Sequence, residues 1–326
     1  MAVSQLLLSK GVLVLDGSFA SQLEDEGVHI QGDPLWSARA LITDPDKVVQ
    51  VHKRYLAAGA QIIETNSYQA AIPNLRKELG HDGQSKAEQL VKSSVQLARR
   101  AVSEFCEETN RKNDEFLVAG SIGPYAVVLH DGSEYSGQYV HTTPHEDIIS
   151  YYQGQVQALL EAGVDLLAFE TVPSLAEAKL IVQVLRSLPH SVFSWISVSC
   201  RDGTFTCGGD RFGDVVSALC LVPSVHLIGI NCTAPEHVTS LLKQGTHGMK
   251  SFVVYPNSGE QWDHDSGWHS TKVTTPLAQY VPEWAARGVK VIGGCCRVIP
   301  NEIRQIAEAV SNLSNPVTLT NLNISI

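Results

Sequence analysis

The sequence predicts a (β/α)8 barrel, an α/β fold of TIM type whose functional site would lie at the C-terminal ends of the strands. Three observations carry that expectation. Eight short apolar segments rich in Val, Ile, Leu and Phe alternate with eight stretches of helical character. Near-continuous apolar runs of this length fit strands buried on both faces, as in parallel sheets. Glycines stand at helix-to-strand joints, where a left-handed cap costs glycine least. No long linker divides the 326 residues, and barrels of this kind commonly reach ~250 residues or more as one unit. A doubly wound sheet stays open, because the pattern does not give strand order.

The expected strands, in order, are residues 12–15, 61–64, 116–119, 165–169, 193–198, 226–230, 251–255 and 290–292. The expected helices are 46–58, 84–108, 146–162, 174–187, 212–220, 235–244, 276–287 and 300–313. The joints are Ala58-Gly59-Ala60, Ala162-Gly163-Val164 and Arg287-Gly288-Val289. Thr43-Asp44-Pro45 and Thr143-Pro144 read as helix starts, with a capping oxygen before proline. Two segments interrupt the alternation: a long polar loop over 123–143, and another over 257–274 that holds Trp262, His264, Trp268 and His269. The expected organisation is one domain over 1–313 and a loosely ordered tail over 314–326.

Composition narrows the function. With 44% hydrophobic and 18% charged residues the chain can bury a large core and is not of disordered type. Twenty-four Lys and Arg against 34 Asp and Glu give a net charge of -10, with no basic stripe. Nucleic acid is therefore not expected as a partner, nor is an anionic membrane surface. No apolar run reaches the ~18 residues of a membrane span. The opening MAVSQLLLSKG has no basic flank and too short an apolar stretch for a signal peptide. The glycosylation-type triplets at Asn231, Asn312 and Asn323 then read as chance, and a cytoplasmic location is expected. Of seven cysteines only Cys106 precedes residue 200, an odd set that points to free thiols, metal ligands or catalysis.

Polar and sulfur-bearing residues gather where the buried strands should end. They are Asp16, Glu64-Thr65-Asn66, Ser121 to Tyr125, Glu170-Thr171, Ser199-Cys200, Asn231-Cys232, Tyr255 to Asn257 and Gly293 to Arg297. Cys295 and Cys296 are neighbours, and the glycine pair before them permits a kink that turns both thiols to one point. Cys232, two strands away, supplies a third sulfur. Three thiolates and one vacancy describe a Zn2+ site with an open fourth position. Such a zinc is a poor acid toward water but well suited to hold a substrate thiolate, deprotonated yet nucleophilic. The reaction that follows is alkyl transfer to sulfur from a sulfonium or ammonium donor, whose leaving group is neutral. The rim Asp and Glu are then free for a substrate ammonium.

Other readings carry less. Cys106, Cys200, Cys207 and Cys220 read as small buried hydrophobes. His264 and His269 with Asp263 and Asp265 read as a solvated loop rather than a second metal site. A phosphate-binding lyase or isomerase would need a lysine at the centre of a strand, which the sequence does not offer.

These residues resemble the homocysteine S-methyltransferase family, and within it the branch that uses S-methylmethionine or S-adenosylmethionine. The likeness covers LDGSFASQLE, DPLWSARAL, ETNSYQA, GPYAVVLHDGSEYSG, FETVPSLAEA, GINCTAPEH, VYPNSGE and GGCCR, the last three being the most specific. The resemblance implies a zinc-dependent barrel enzyme in which Cys232, Cys295 and Cys296 hold the metal and the homocysteine thiolate completes the tetrahedron. It implies that Asp16 and Glu170 grip the amino group, with the Gly17 and Ser121 region around the carboxylate. Trp36 and Tyr125 are candidates for the donor pocket, since a sulfonium sits well on aromatic faces. Asn66, Tyr68 and Gln69 are candidates to guard the open zinc position. Asn231 and Asn257 read as holders of loop backbone. Alternatives stay open: Asp16 as the cap of the next helix, Glu170 as a structural carboxylate, Trp36 as a loop anchor.

S-methylmethionine is the expected donor, with selenohomocysteine as a second acceptor. S-adenosylmethionine as donor and a silent zinc-binding or thiol-binding barrel are the rival readings. Three departures from the family pattern bear on this. Ser18 and Ala126 stand where glycines are usual, and are expected to alter the donor site and restrict the loop. Val298-Ile299 before Pro300 removes a hydroxyl cap, at a cost of about 1 kcal/mol.

Overall fold

Eight parallel strands close into one ring in sequence order. The computed structural model describes residues 2–80, 83–190, 192–245, 250–259, 261–263, 267–269 and 275–313. The strands are β1 Leu13–Val14, β2 Ile62–Glu64, β3 Leu117–Ile122, β4 Leu166–Val172, β5 Ser194–Val198, β6 Leu227–Asn231 and β7 Ser251–Tyr255. A small ribbon, β8 Gln261–Asp263 and β9 Gly267–His269, precedes the last barrel strand, β10 Val289–Ile292. Hydrogen bonding runs β1-β10-β7-β6-β5-β4-β3-β2, and a parallel bridge from Leu15 to Ile62 joins the two ends. Sequential order around a closed ring settles the barrel over the doubly wound sheet.

The helices are α1 Ala2–Lys10, α2 Phe19–Asp25, α3 Ala40–Thr43, α4 Pro45–Ala57, α5 Ile72–Leu79, α6 Gly83–Thr109 and α7 Ala126–Leu129. They continue with α8 His145–Ala162, α9 Leu175–Ser187, α10 Phe212–Cys220, α11 Pro235–Leu242, α12 Val281–Ala286 and α13 Pro300–Leu313. All the expected strands and main helices are present. Gly163 ends α8 at φ +84, the left-handed cap that its place before β4 suggested.

Alternate strand residues fill the ring. Leu13, Leu15, Ile62, Leu117, Ala119, Leu166, Ala168, Trp195, Leu227, Val253, Tyr255 and Val291 form one interior cluster. The other strand faces pack under the helices in a second, larger cluster. Because side chains alternate with period two, one further step along β2, β3, β4 and β5 turns Glu64, Ser121, Glu170 and Ser197 inward. Apolar layers thus give way to polar ones toward the C-terminal mouth. At the opposite end Val3 is buried, and Leu6 and Leu7 pack on the interior cluster. The apolar N-terminal stretch is the floor of the barrel.

Several expectations need correction. The segment 123–143 is not an irregular loop: it contains α7 and 3-10 turns at Ser133–Tyr135 and Gln138–His141. The 257–274 segment is in part the β8–β9 ribbon, while His264, Asp265 and residues 314–326 lie outside the described residues. Asp44 stands at the start of α4 without a side-chain capping bond. Thr143 does not cap α8, whose first flanking residue is Pro144. Both starts rely on proline and tertiary packing instead.

The Val298-Ile299 departure does not leave α13 uncapped, since the Ile299 N–H donates to Glu302 Oε2 at 3.1 Å. Val298 is fully buried, and a Cβ on Gly294 would come 2.1 Å from its Cγ1. Ala126 opens a helix rather than a left-handed turn, so its methyl adds no backbone strain.

One core residue is out of place chemically. His52 on α4 is fully buried, with neither ring nitrogen hydrogen-bonded and its ring 4.9 Å from that of Phe19. Burial drives its pKa down to about 3. The unfolded chain therefore takes up a proton near pH 6.5 that the fold refuses, and stability is lost as pH falls below that value. His52→Leu is expected to remove this share, roughly 1.4 kcal/mol per pH unit. Urea unfolding of both proteins between pH 7.5 and 4.5 measures it, and parallel pH profiles would show that His52 does not contribute.

Candidate metal and substrate site at the barrel mouth

Cys232 follows β6 and Cys295-Cys296 follow β10. Their Sγ atoms lie 2.8 Å apart for Cys232–Cys295, 3.6 Å for Cys232–Cys296 and 4.0 Å for Cys295–Cys296. All are free thiols, and they form the one such cluster among the described residues. Tetrahedral Zn–S bonds of ~2.3 Å set sulfurs about 3.8 Å apart. Two of the three spacings match, and the third needs to open by about an ångström. The trio therefore fits a thiophilic metal.

The backbone is bent to make this arrangement. Cys232 has φ +47 and Arg297 φ +64. The Cys295 N–H donates to Pro256 O at 2.8 Å, Gly294 N–H to Asp16 O at 3.0 Å, and Ser258 N–H to Cys296 O at 3.0 Å. A Cβ on Gly293 would fall 2.7 Å from Asp16 O, which is why the kink needs glycine there. Thr171, at φ +58, is also left-handed. Asn231 holds it from both sides, accepting its N–H and donating to its Oγ1, each at 2.8 Å. Positive φ at a β-branched residue costs about 1–3 kcal/mol and persists where surroundings impose it.

Electrostatics agree with a cation site. Hydrogen bonds from Cys232 and Cys295 hold the Cys296 thiol well below its ordinary range. Bonds to its two neighbours, with burial, push Cys295 up. Cys232 is lowered by Cys295 but raised more by Cys296 and burial. Without a cation, like charges this close resist joint ionisation.

Below the thiols sit buried carboxylates. Glu170 accepts hydrogen bonds from the Ser121 hydroxyl and from Tyr255. Tyr255 Oη in turn takes the Trp195 Nε1–H at 3.1 Å and lies 2.5 Å from Ser197 Oγ. Burial pushes the Glu170 carboxyl up to about 8. Asp16 Oδ2 accepts the Glu64 N–H at 2.9 Å, while Asp16 Oδ1 and Glu64 Oε1 are buried without partners. Burial first, then like charge, raises both carboxyls well above their usual range.

The α2 cap belongs to Ser18, whose hydroxyl accepts the Ser21 N–H at 3.3 Å. That removes capping as the role of Asp16 and gives the serine a place of its own. Gly17 is needed for packing, since a Cβ there would lie 2.3 Å from Val298 O.

The remaining predicted residues divide. Tyr68 bonds to Thr171 and feels the charge of Cys232. Asn66 Nδ2 donates to Ser37 O at 3.0 Å, tying down the Trp36 turn. Trp36 is half-buried with φ +48. Gln69 has no hydrogen bond among those described. Tyr125 packs among tyrosines, with ring centroids 5.7 Å from Tyr151 and 6.1 Å from Tyr139. Asn257 hydrogen-bonds Thr233 O through its backbone, but its side-chain Oδ1 is buried and unpartnered.

Sequence reasoning missed Glu134 and Tyr135. The thiols, Cys232 first, raise the Tyr135 hydroxyl, although 54% of the residue stays exposed. Burial, then Asp131 and Cys296, raise Glu134. Their turn is set by Gly132 at φ +73 and Gly137 at φ +67. An acidic-aromatic pair between two glycines was the available signal. The segment is anchored from α9, where buried Glu177 accepts the Tyr125 N–H at 2.8 Å, the Tyr152 hydroxyl at 2.9 Å and the Tyr139 hydroxyl.

Known proteins share this architecture. The chain is 41% identical over 306 residues to the homocysteine S-methyltransferase of Escherichia coli (strain K12), covering 91% of this chain and 95% of that one. It is 38% identical over 322 residues to the betaine-homocysteine S-methyltransferase of Drosophila melanogaster, covering 94% and 96%. The crystal structure of the metallated form of the E. coli homocysteine methyltransferase MmuM superposes with a TM-score of 0.82 at 36% identity, covering 94% of this chain and 99% of that one. The family model for homocysteine S-methyltransferase matches residues 13–310, from the first barrel strand into the last helix. The chain belongs to the homocysteine S-methyltransferase family.

Proposed function

We propose that the protein transfers a methyl group from S-methylmethionine to L-homocysteine, yielding two molecules of methionine in the cytoplasm. The observation that carries this reading is the trio Cys232, Cys295 and Cys296 at the strand ends, with Sγ spacings of 2.8 to 4.0 Å. Zinc held by these sulfurs would supply a fourth position for a substrate thiolate and keep it deprotonated at neutral pH. A bond forms from the homocysteine sulfur to the methyl carbon as the donor C–S bond breaks. The electron pair returns to the donor sulfur, which leaves neutral, so no general acid is required. Selenohomocysteine fits the same scheme.

The chain's residues bind and align. Asp16 and Glu170 receive the substrate ammonium, Ser121 and Tyr255 orient Glu170, and the Gly17 region lies toward the carboxylate. Tyr68 and Tyr135, beside the thiols, offer aromatic faces to a methyl-bearing cation, and Trp36 and Tyr125 stand in the walls behind. Tyr68 is the residue best placed to guard the open position.

Glu134 bears on the donor. Its carboxyl stands near Cys296, where it favours a cation but opposes an adjacent carboxylate. In S-methylmethionine the carboxylate lies several bonds from the sulfonium, whereas in betaine it follows the ammonium by one methylene. This supports a sulfonium donor, although identity to the E. coli and Drosophila relatives is nearly the same, 41% and 38%. The test is methionine formation by zinc-loaded, reduced protein with homocysteine and each of S-methylmethionine, S-adenosylmethionine and betaine at equal concentration. S-methylmethionine is expected to turn over fastest, with loss on chelation and recovery with zinc. Preference for S-adenosylmethionine or betaine would overturn the donor; no turnover with any would favour a silent barrel.

A further inference from the structure

We infer that Glu64 is a third carboxylate of the ammonium pocket, and that it makes the site selective for a thiol bearing an α-amine. This rests on homocysteine being the acceptor and adds a residue to Asp16 and Glu170.

Glu64 ends β2, in register with Ala119 of the interior cluster. The period of the strand turns it into the ring, on the side where Glu170 enters from β4. Its backbone N–H donates to Asp16 Oδ2, which ties the Asp16 carboxylate to the end of β2, and the Glu64 carboxyl is near enough to be raised by the Asp16 charge. Each then presents one buried oxygen with no partner, Glu64 Oε1 and Asp16 Oδ1. Buried acceptors left bare are rare, because each forfeits the hydrogen bonds it had in water. Here two stand together, and each also repels Glu170.

What would satisfy them must bring N–H or O–H donors and a positive charge. Water answers the first need and leaves the repulsion. No described Lys, Arg or His pairs with any of the three, whose interactions are with one another, with neutral donors and, for Glu170, with the Cys296 thiol, whose charge only adds to the repulsion. A metal ion is disfavoured by spacing: among the described residues only the three thiols gather within 4.8 Å of one another. N–H···O bonds of about 2.8 Å reach across a wider gap than metal–oxygen bonds of about 2.1 Å. An alkylammonium carries three donors and one charge, and its carbon chain leads up toward the sulfur site. The same residues would hold a thiol lacking the amine poorly, since it brings neither donors for the bare oxygens nor a charge that favours ionisation of the three carboxyls.

The experiment compares zinc-loaded wild type with Glu64→Gln by titration calorimetry, using L-homocysteine and 4-sulfanylbutanoate, the same chain without its amine. In the variant the homocysteine Kd is expected to rise about tenfold or more. The 4-sulfanylbutanoate Kd should hold within about twofold or fall. Glu64→Met, of similar length and uncharged, gives the same contrast should the amide variant not fold. Homocysteine affinity unchanged in the variant, or both ligands weakened alike, would overturn the role. Wild type that binds neither thiol would instead overturn the acceptor reading, a result visible without any variant.

Discussion

Serine in place of Cys232, Cys295 or Cys296 is expected to abolish turnover and strip the protein of zinc. Structural zinc sites with four ligands are worth roughly 10–16 kcal/mol, so losing one thiolate should weaken metal binding by about a hundredfold or more. The fold should survive, because the barrel is closed by strand pairing and its interior cluster, both independent of the metal. Metal content after dialysis, circular dichroism and methionine formation read the three effects separately. Full activity in any one variant would remove that residue from the ligand set.

How legible the site was follows from what holds each part. The barrel strands announce themselves as apolar runs because both faces are buried, and all eight lie where the sequence placed them. The thiol trio was legible for a related reason: strand ends of a barrel converge, and a glycine pair before adjacent cysteines signals a kink. The segment over 123–143 was not. Its turns are set by Glu177 of α9 and the tyrosines around it, partners distant in sequence, so local composition read only as loop. Asn66, Tyr68 and Gln69 could not be told apart in the sequence because rim position says nothing of direction, and the Asn66 amide turns to Ser37 O. Glu64 stood in view at the rim, but its inward aim depends on register with β3, and its bare Oε1 depends on which side chains the closed ring brings around it.

Asp16→Asn is expected to weaken homocysteine binding by about tenfold to a hundredfold while leaving zinc content near wild type. The Gly294 N–H bonds the backbone oxygen of Asp16, not its side chain, so the cysteine turn keeps its support. The ligand-free variant should at the same time be more stable. Burial, opposed in part by the Glu64 N–H and reinforced by the charge of Glu170, raises the Asp16 carboxyl well above its ordinary range. The fold therefore retains a proton that the unfolded chain gives up near pH 4, and wild-type stability declines as pH rises above that value. Asparagine cannot ionise, and its amide can donate toward Glu64 Oε1 while its carbonyl accepts the Glu64 N–H. The variant should escape this share of the decline and exceed wild type by about 1–2 kcal/mol at pH 8. Urea unfolding of metal-free protein at pH 5.5 and 8 measures the gap, which should widen with pH; a gap of the opposite sign would mean that Asp16 stabilises the fold. A carboxylate that costs the empty protein stability is explained by what it meets in the filled one. On the proposed reading a substrate ammonium would supply the charge and the donors that the fold withholds, so part of the free energy of binding would be relief of a strain already built into the barrel.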